Sequence, residues 1–98
     1  MAERVITVLE MEKRDEWECY RECFVAYENE IQAIADRLDW FSEFLNDDGI
    51  GFVEIAPNHW ESFESDCKSI SFNKKEKEFI KTINKLFDKQ TFVRLDIY

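Results

Sequence analysis

Residues 17–45 read WECYRECFVAYENEIQAIADRLDWFSEFL, and the conformation of this stretch decides the architecture. Large apolar residues recur in it at steps of three and four: Trp17, Tyr20, Phe24, Tyr27, Ile31, Ile34, Leu38, Phe41 and Leu45. Neither Gly nor Pro interrupts residues 12–48. That spacing predicts one amphipathic helix over 14–46 that buries Trp17, Phe24, Ile31, Leu38 and Leu45 along one side. Its start is expected near Lys13 to Asp15. Its end is expected at Asn46-Asp47-Asp48-Gly49, where Gly supplies a left-handed C-terminal conformation.

Such a helix is long for its host. At 1.5 Å per residue it spans roughly 50 Å, against roughly 35 Å for a compact domain of this size. Either it bends or breaks near Glu28 to Glu30, with Tyr27 to Ile31 as the expected break, or its overhang is covered by a second copy in a homodimer. Packing on a sheet is preferred, because aromatics at five of the nine seam positions are bulky for a two-stranded coil.

Outward from this segment the chain reads more simply. Arg4 to Met11 is β-branched and apolar, a strand covered on both faces. Ile50 to Ile55 is a second strand, ended by Pro57. Asn58 and Glu61 have capping-box spacing, and Trp60, Phe63 and Cys67 give the following short helix one apolar face. Asn73 and Glu76 repeat the start signal for a helix to about Lys89, apolar at Phe79, Ile80, Ile83, Leu86 and Phe87. Thr91 to Tyr98 alternates Phe92, Arg94, Asp96 and Tyr98 against Val93, Leu95 and Ile97, a strand with one buried face that is expected at a sheet edge. The predicted order is β-α-β-α-α-β, an α+β fold with a small three-stranded sheet packed by one long helix and two shorter ones. With 98 residues and no linker-like or repeated segment, residues 1–98 are expected to form a single domain.

Composition narrows the class. The 22 acidic residues against 13 basic ones give a net charge of −9. Residues 1–48 hold fourteen Asp/Glu and five Lys/Arg, while residues 49–98 hold eight of each, so the whole excess lies in the first half. A field of that sign repels nucleic acid and anionic headgroups and attracts basic surfaces. No apolar run is long enough to span a bilayer, and Met-Ala-Glu-Arg opens no signal peptide, so neither membrane nor export is expected and a cytoplasmic location is. Three cysteines, Cys19, Cys23 and Cys67, read as free thiols of a reducing compartment.

On the predicted helix two acidic triplets share a three-then-four step, Asp15, Glu18, Glu22 and Asp36, Asp39, Glu43, and these six are the candidate partner-binding residues. Carboxylates at that spacing present two negative patches to a basic groove, standing in for the phosphates of a nucleic acid. The alternative is a solvated helix face. Lys77, Lys81, Lys85 and Lys89, preceded by Lys74 and Lys75, form a basic ladder on the last helix. The overall charge and the lack of interleaved Arg or aromatic residues speak against direct nucleic-acid binding there. Cys19, Cys23, Cys67 and His59 have no defensible zinc spacing, Gly49-Ile50-Gly51 lacks the Lys and helix start of a phosphate loop, and pairs such as Glu61 and Glu64 occur on any acidic helix. No metal, cofactor or enzymatic activity is expected.

The segment Tyr27-Glu-Asn-Glu-Ile-Gln-Ala-Ile-Ala-Asp36-Arg-Leu38 resembles, over a dozen residues, the binding segment of the barstar family of acidic ribonuclease inhibitors, Tyr-Gly-x-Asn-hydrophobic-Asp-Ala-Leu-x-Asp-x-Leu. It departs where Glu28 stands for the Gly, Glu30 for the Asn and Gln32 for the first binding acid, which leaves Asp36. The resemblance implies only that an acidic helix on a small sheet can form an inhibitor's face. The expected function is that of a small acidic protein acting stoichiometrically on a basic, nucleic-acid-handling target, as immunity and phage anti-defence proteins do. A homodimeric scaffold or adaptor is the alternative.

Overall fold

The computed structural model describes residues 3–14, 17–38, 41 and 45–98. Its first two elements are strands, β1 (Val5–Arg14) and β2 (Trp17–Tyr27), paired antiparallel from Val5 with Tyr27 to Arg14 with Trp17. A 3-10 turn (Glu28–Ile31) and a single helical turn, α1 (Gln32–Ala35), follow. Then come β3 (Gly51–Ile55), α2 (Pro57–Asp66), α3 (Lys74–Phe87) and β4 (Val93–Ile97). The sheet has four antiparallel strands in the order β2-β1-β4-β3.

The fold is thus α+β, but the long helix predicted over 14–46 is absent from 17–27, and the three-stranded sheet gains a fourth strand. The reason lies in one inserted residue. The β1–β2 register shifts between Val8 and Leu9, so that Val8 faces Phe24 while Leu9 faces Glu22, and Cys23 is the extra residue of a β-bulge. Upstream of the bulge Tyr20 lies on one face, and downstream Phe24 lies on the other. A strand whose period of two is interrupted in this way imitates the three- and four-residue steps of a helix. Tyr27 to Ile31, where a break was expected, is where the strand ends and the first helical turn begins.

The other elements stand close to their expected places. β4 has the predicted alternation, with Val93, Leu95 and Ile97 buried, but it lies between β1 and β3 and not at an edge. In α2 the cap is Ala56 with Pro57 in the first turn, in place of the expected Asn58, which suits a residue that lacks an N–H to satisfy. Asn73 and Glu76 do form a reciprocal capping box at the start of α3. Gly49 has a φ of 72°, as a left-handed position requires, yet it closes a turn before β3 and not a helix. In that turn Asn46 Oδ1 accepts the N–H groups of Asp48 and Ile50.

One face of the sheet holds the core. Ile6, Val8, Ala26, Val53, Ile55, Val93, Leu95 and Ile97 pack against Trp60, Phe63 and Cys67 of α2, Phe79, Ile83 and Leu86 of α3, and Ile31, Ile34, Ala35, Leu38 and Phe41. Ile31 and Leu38, predicted as buried, are so, and Phe24 and Leu45 are partly covered. The side chain of Trp17 lies outside the described residues. Rings knit the layers together: Phe24 meets Phe79 edge-on at 5.8 Å, and Trp60 stacks on Phe63 at 5.3 Å. At the start of β1, Arg4 donates its backbone N–H and its guanidinium to Glu28. The backbone bond first, and the guanidinium with it, hold the Glu28 carboxyl below its usual pKa.

Candidate functional site

The described members of the two acidic triplets, Glu18, Glu22 and Asp36, do not share a helix. Glu18 and Glu22 belong to β2, facing Lys13 and Leu9, whereas Asp36 follows α1 and accepts a hydrogen bond from Gln32 Nε2 at 2.7 Å. Glu22 and Asp36 are exposed, and Asp15, Asp39 and Glu43 lie outside the described residues. A ridge with a helical period needs a helix beneath Glu18 and Glu22, and the strand there removes it.

What the strands build instead is a second, outer sheet face. Among the described residues no helix packs on the side of the sheet opposite the core, which carries Thr7 and Leu9 of β1, Phe52 and Glu54 of β3, Arg94 and Asp96 of β4, and Tyr20, Glu22 and Val25 of β2. Its centre is Arg94. The guanidinium carbon lies 4.3 Å from the centroid of the Phe52 ring and 5.2 Å from that of Tyr20, with Nε 3.0 Å from Asp96 Oδ1. Between two rings and a carboxylate, this cation is held in place by cation–π attraction and an ion pair together. Leu9 is buried although it belongs to no part of the core cluster, which places its cover on this outer side. Around the centre the surface is apolar and accessible: Tyr20 is 37% exposed, Val25 43%, Tyr27 55% and Tyr98 57%. Thr7 Oγ1 also donates to the Tyr98 hydroxyl at 3.4 Å.

The charge on this face is negative. Among the described side chains of this face, Glu22, Glu54 and Asp96 stand against Arg94, which is already paired with Asp96. Exposed aromatic rings with polar handles, arranged about a fixed Arg, are the side chains that supply most of the binding energy in protein interfaces.

Between α2 and α3 lies a groove of about 720 Å³ with Pro57, Trp60, Ile80 and Phe87 among its lining. Lys77, Lys81 and Lys85 form one rim and Glu61 and Glu64 the other. The polar groups at its base serve each other: Trp60 Nε1 donates to Asn84 Oδ1 at 2.8 Å, and Asn84 Nδ2 lies 3.5 Å from Glu64 Oε2. The Lys ladder is partly absorbed by the fold, since Lys75 sits over the Phe24 ring at 5.1 Å and Lys89 lies 3.6 Å from Glu10.

Among the described residues no cluster of three His, Cys, Asp or Glu side chains is placed to hold a metal ion. Cys67 is buried at the end of α2, and that burial raises its thiol pKa, while Cys23 is exposed on β2 and Cys19 is half-buried there. His59 is exposed in the first turn of α2. No described helix is long and apolar enough to cross a membrane.

Of this outer face the sequence placed Arg94, Asp96 and Tyr98 together, through the alternation of 91–98. It assigned Tyr20 and Tyr27 to a buried seam. The four aromatic residues of 17–27, with Val25, were the signal for a strand. Comparison with known protein families, with characterised proteins and with solved structures finds no match, so the functional reading rests on this geometry.

Proposed function

We propose that this chain is a small acidic protein-binding module that docks stoichiometrically on a basic partner, in the manner of an inhibitor of a nucleic-acid-handling protein. The observation that carries the reading is the outer face of the sheet, where Arg94 is held by Tyr20, Phe52 and Asp96 and the same face exposes Tyr20, Val25, Tyr98, Glu22 and Glu54. Apolar contact on such a face supplies affinity. The net charge of −9 supplies attraction at a distance and selects against partners of the same sign.

The test is kinetic and uses a basic protein recovered with the intact chain from the cell of origin. Association should slow steeply as salt rises, because exposed charges are screened over about 8 Å at physiological ionic strength. Reversing Glu22, Glu54 and Asp36 to Lys should slow association further, with dissociation changed less. Reversing Lys77, Lys81 and Lys85 to Glu should leave the rate unchanged or raise it. If the Lys changes destroy binding and the acidic reversals do not, the proposal is wrong.

A further inference from the structure

β2 ends the sheet, and the bonds made by β1 show which backbone groups of β2 face outward. Met11 donates its N–H to Gln90 Oε1 at 3.2 Å, away from β2. Met11 and its cross-strand partner Tyr20 therefore form a wide pair, in which the N–H and C=O groups of the two residues point away from each other. Those of Tyr20 face the open edge. The two-residue period gives the same orientation to Glu18 and Glu22, whereas Cys19 and Arg21, in register with Glu12 and Glu10, direct theirs to β1. Further along, the edge is obstructed: the bulge at Cys23 breaks the ladder, and Glu30 Oε1 accepts the Tyr27 N–H at 2.9 Å. Among the described residues the regular open stretch is thus 18–22. It has no Lys or Pro, the residues that commonly protect such an edge, and its outward-directed positions read acid, aromatic, acid.

We infer that an extended basic segment of the partner adds to this edge of β2 as a fifth strand, with Lys or Arg in register with Glu18 and Glu22 and an apolar residue in register with Tyr20. The inference rests on the proposed function and names how the partner binds. Main-chain bonds to Tyr20 and Glu22 supply affinity, and the alternating side chains supply selectivity. Charge chooses the occupant. A second copy of β2 paired antiparallel about Tyr20 would set Glu18 opposite Glu22 twice, and directly opposed like charges destabilise a strand pair. An extended segment with two cations four residues apart meets the opposite charge at both.

Two substitutions at one position separate edge from face. Tyr20→Pro removes an N–H that faces the open edge, a place where a sheet tolerates Pro, while Tyr20→Thr removes the ring and keeps the N–H. The probe is a synthetic nonapeptide, Ser-Thr-Lys-Thr-Val-Thr-Lys-Thr-Ser, whose two Lys and central Val share one face of the extended chain, with the counterpart carrying Glu for both Lys as its control. The Lys peptide should bind, the Glu peptide should not, and Tyr20→Pro should weaken binding about tenfold more than Tyr20→Thr does. Hydrogen exchange on the unaltered chain gives a second readout: the peptide should protect the amides of Tyr20 and Glu22 and leave that of Arg21 as it was. Equal losses for the two substitutions, with no new protection of Tyr20 and Glu22, overturn the edge inference even if a basic partner still docks on the outer face. A dimer of the free chain that Tyr20→Pro converts to monomer also overturns it, since a second copy then fills the edge. Loss of all salt-sensitive binding to basic peptides and proteins removes the proposed function as well.

Discussion

Replacing Phe79 by Ala is expected to destabilise the fold by about 3–5 kcal/mol. Phe79 is fully buried on α3 and touches two layers at once: the edge-on ring of Phe24 from β2 and, at 6.4 Å, the indole of Trp60 from α2. Truncation removes the transfer energy of the ring, leaves a cavity that three elements must share, and deprives Phe24 of its main cover. Natural domains are stable by only about 5–15 kcal/mol, so the variant should unfold at a much lower denaturant midpoint. Tyr98→Ala, at the exposed end of the chain, is the matched control and should change little. A shift for Phe79→Ala as small as that of Tyr98→Ala would contradict the packing of α3 on β2.

Glu76→Ala is expected to cost about 2–4 kcal/mol, more than the loss of an ordinary helix cap. The Glu76 side chain is only 3% exposed and both its oxygens are engaged. Oε1 accepts the N–H of Asn73 at 2.9 Å, while Oε2 accepts that of Ala33 at 2.8 Å, 43 residues away in sequence. Asn73 returns the bond to the Glu76 N–H at 2.8 Å and donates Nδ2 to the Glu30 carbonyl at 3.1 Å. One capping box thus serves α3 and also ties α1 and the 3-10 turn to it. Without the carboxylate, two N–H groups lose their acceptors in a partly buried place, and such orphaned donors are costly. Glu76→Gln keeps one acceptor oxygen and should lose less. Chemical denaturation of the two variants checks this, and an Ala variant no less stable than the Gln variant would show that Ala33 does not depend on the bond.

The contrast between Asn73 and Tyr20 explains what could be read in advance. Asn73 with Glu76 is a local signal, complete within four residues, and the helix begins where it says. The alternation of Val93, Leu95 and Ile97 is local too, and so is the apolar face of α2 at Trp60, Phe63 and Cys67. Whether Trp17 to Tyr27 forms a helix or a strand depends on pairing with β1, a non-local choice, and the residue inserted at Cys23 hides the period of two that would have revealed it. The acidic residues were found as residues and misplaced as a surface: Glu22 and Asp36 are exposed, but their shared ridge needed the helix. The aromatic face around Arg94 stayed hidden because its rings come from β2 and β3 and its cation from β4, which no single window contains.

The most direct test of this face as the docking surface is an NMR titration of the isotopically labelled chain with its basic partner, read as shifts of assigned side-chain and backbone signals. The largest changes are expected at Tyr20, Val25, Phe52, Arg94 and Tyr98, with Trp60, Ile80 and Asn84 of the groove between α2 and α3 nearly unmoved. Changes concentrated at Trp60, Ile80 and Asn84, with the outer sheet face silent, would contradict it.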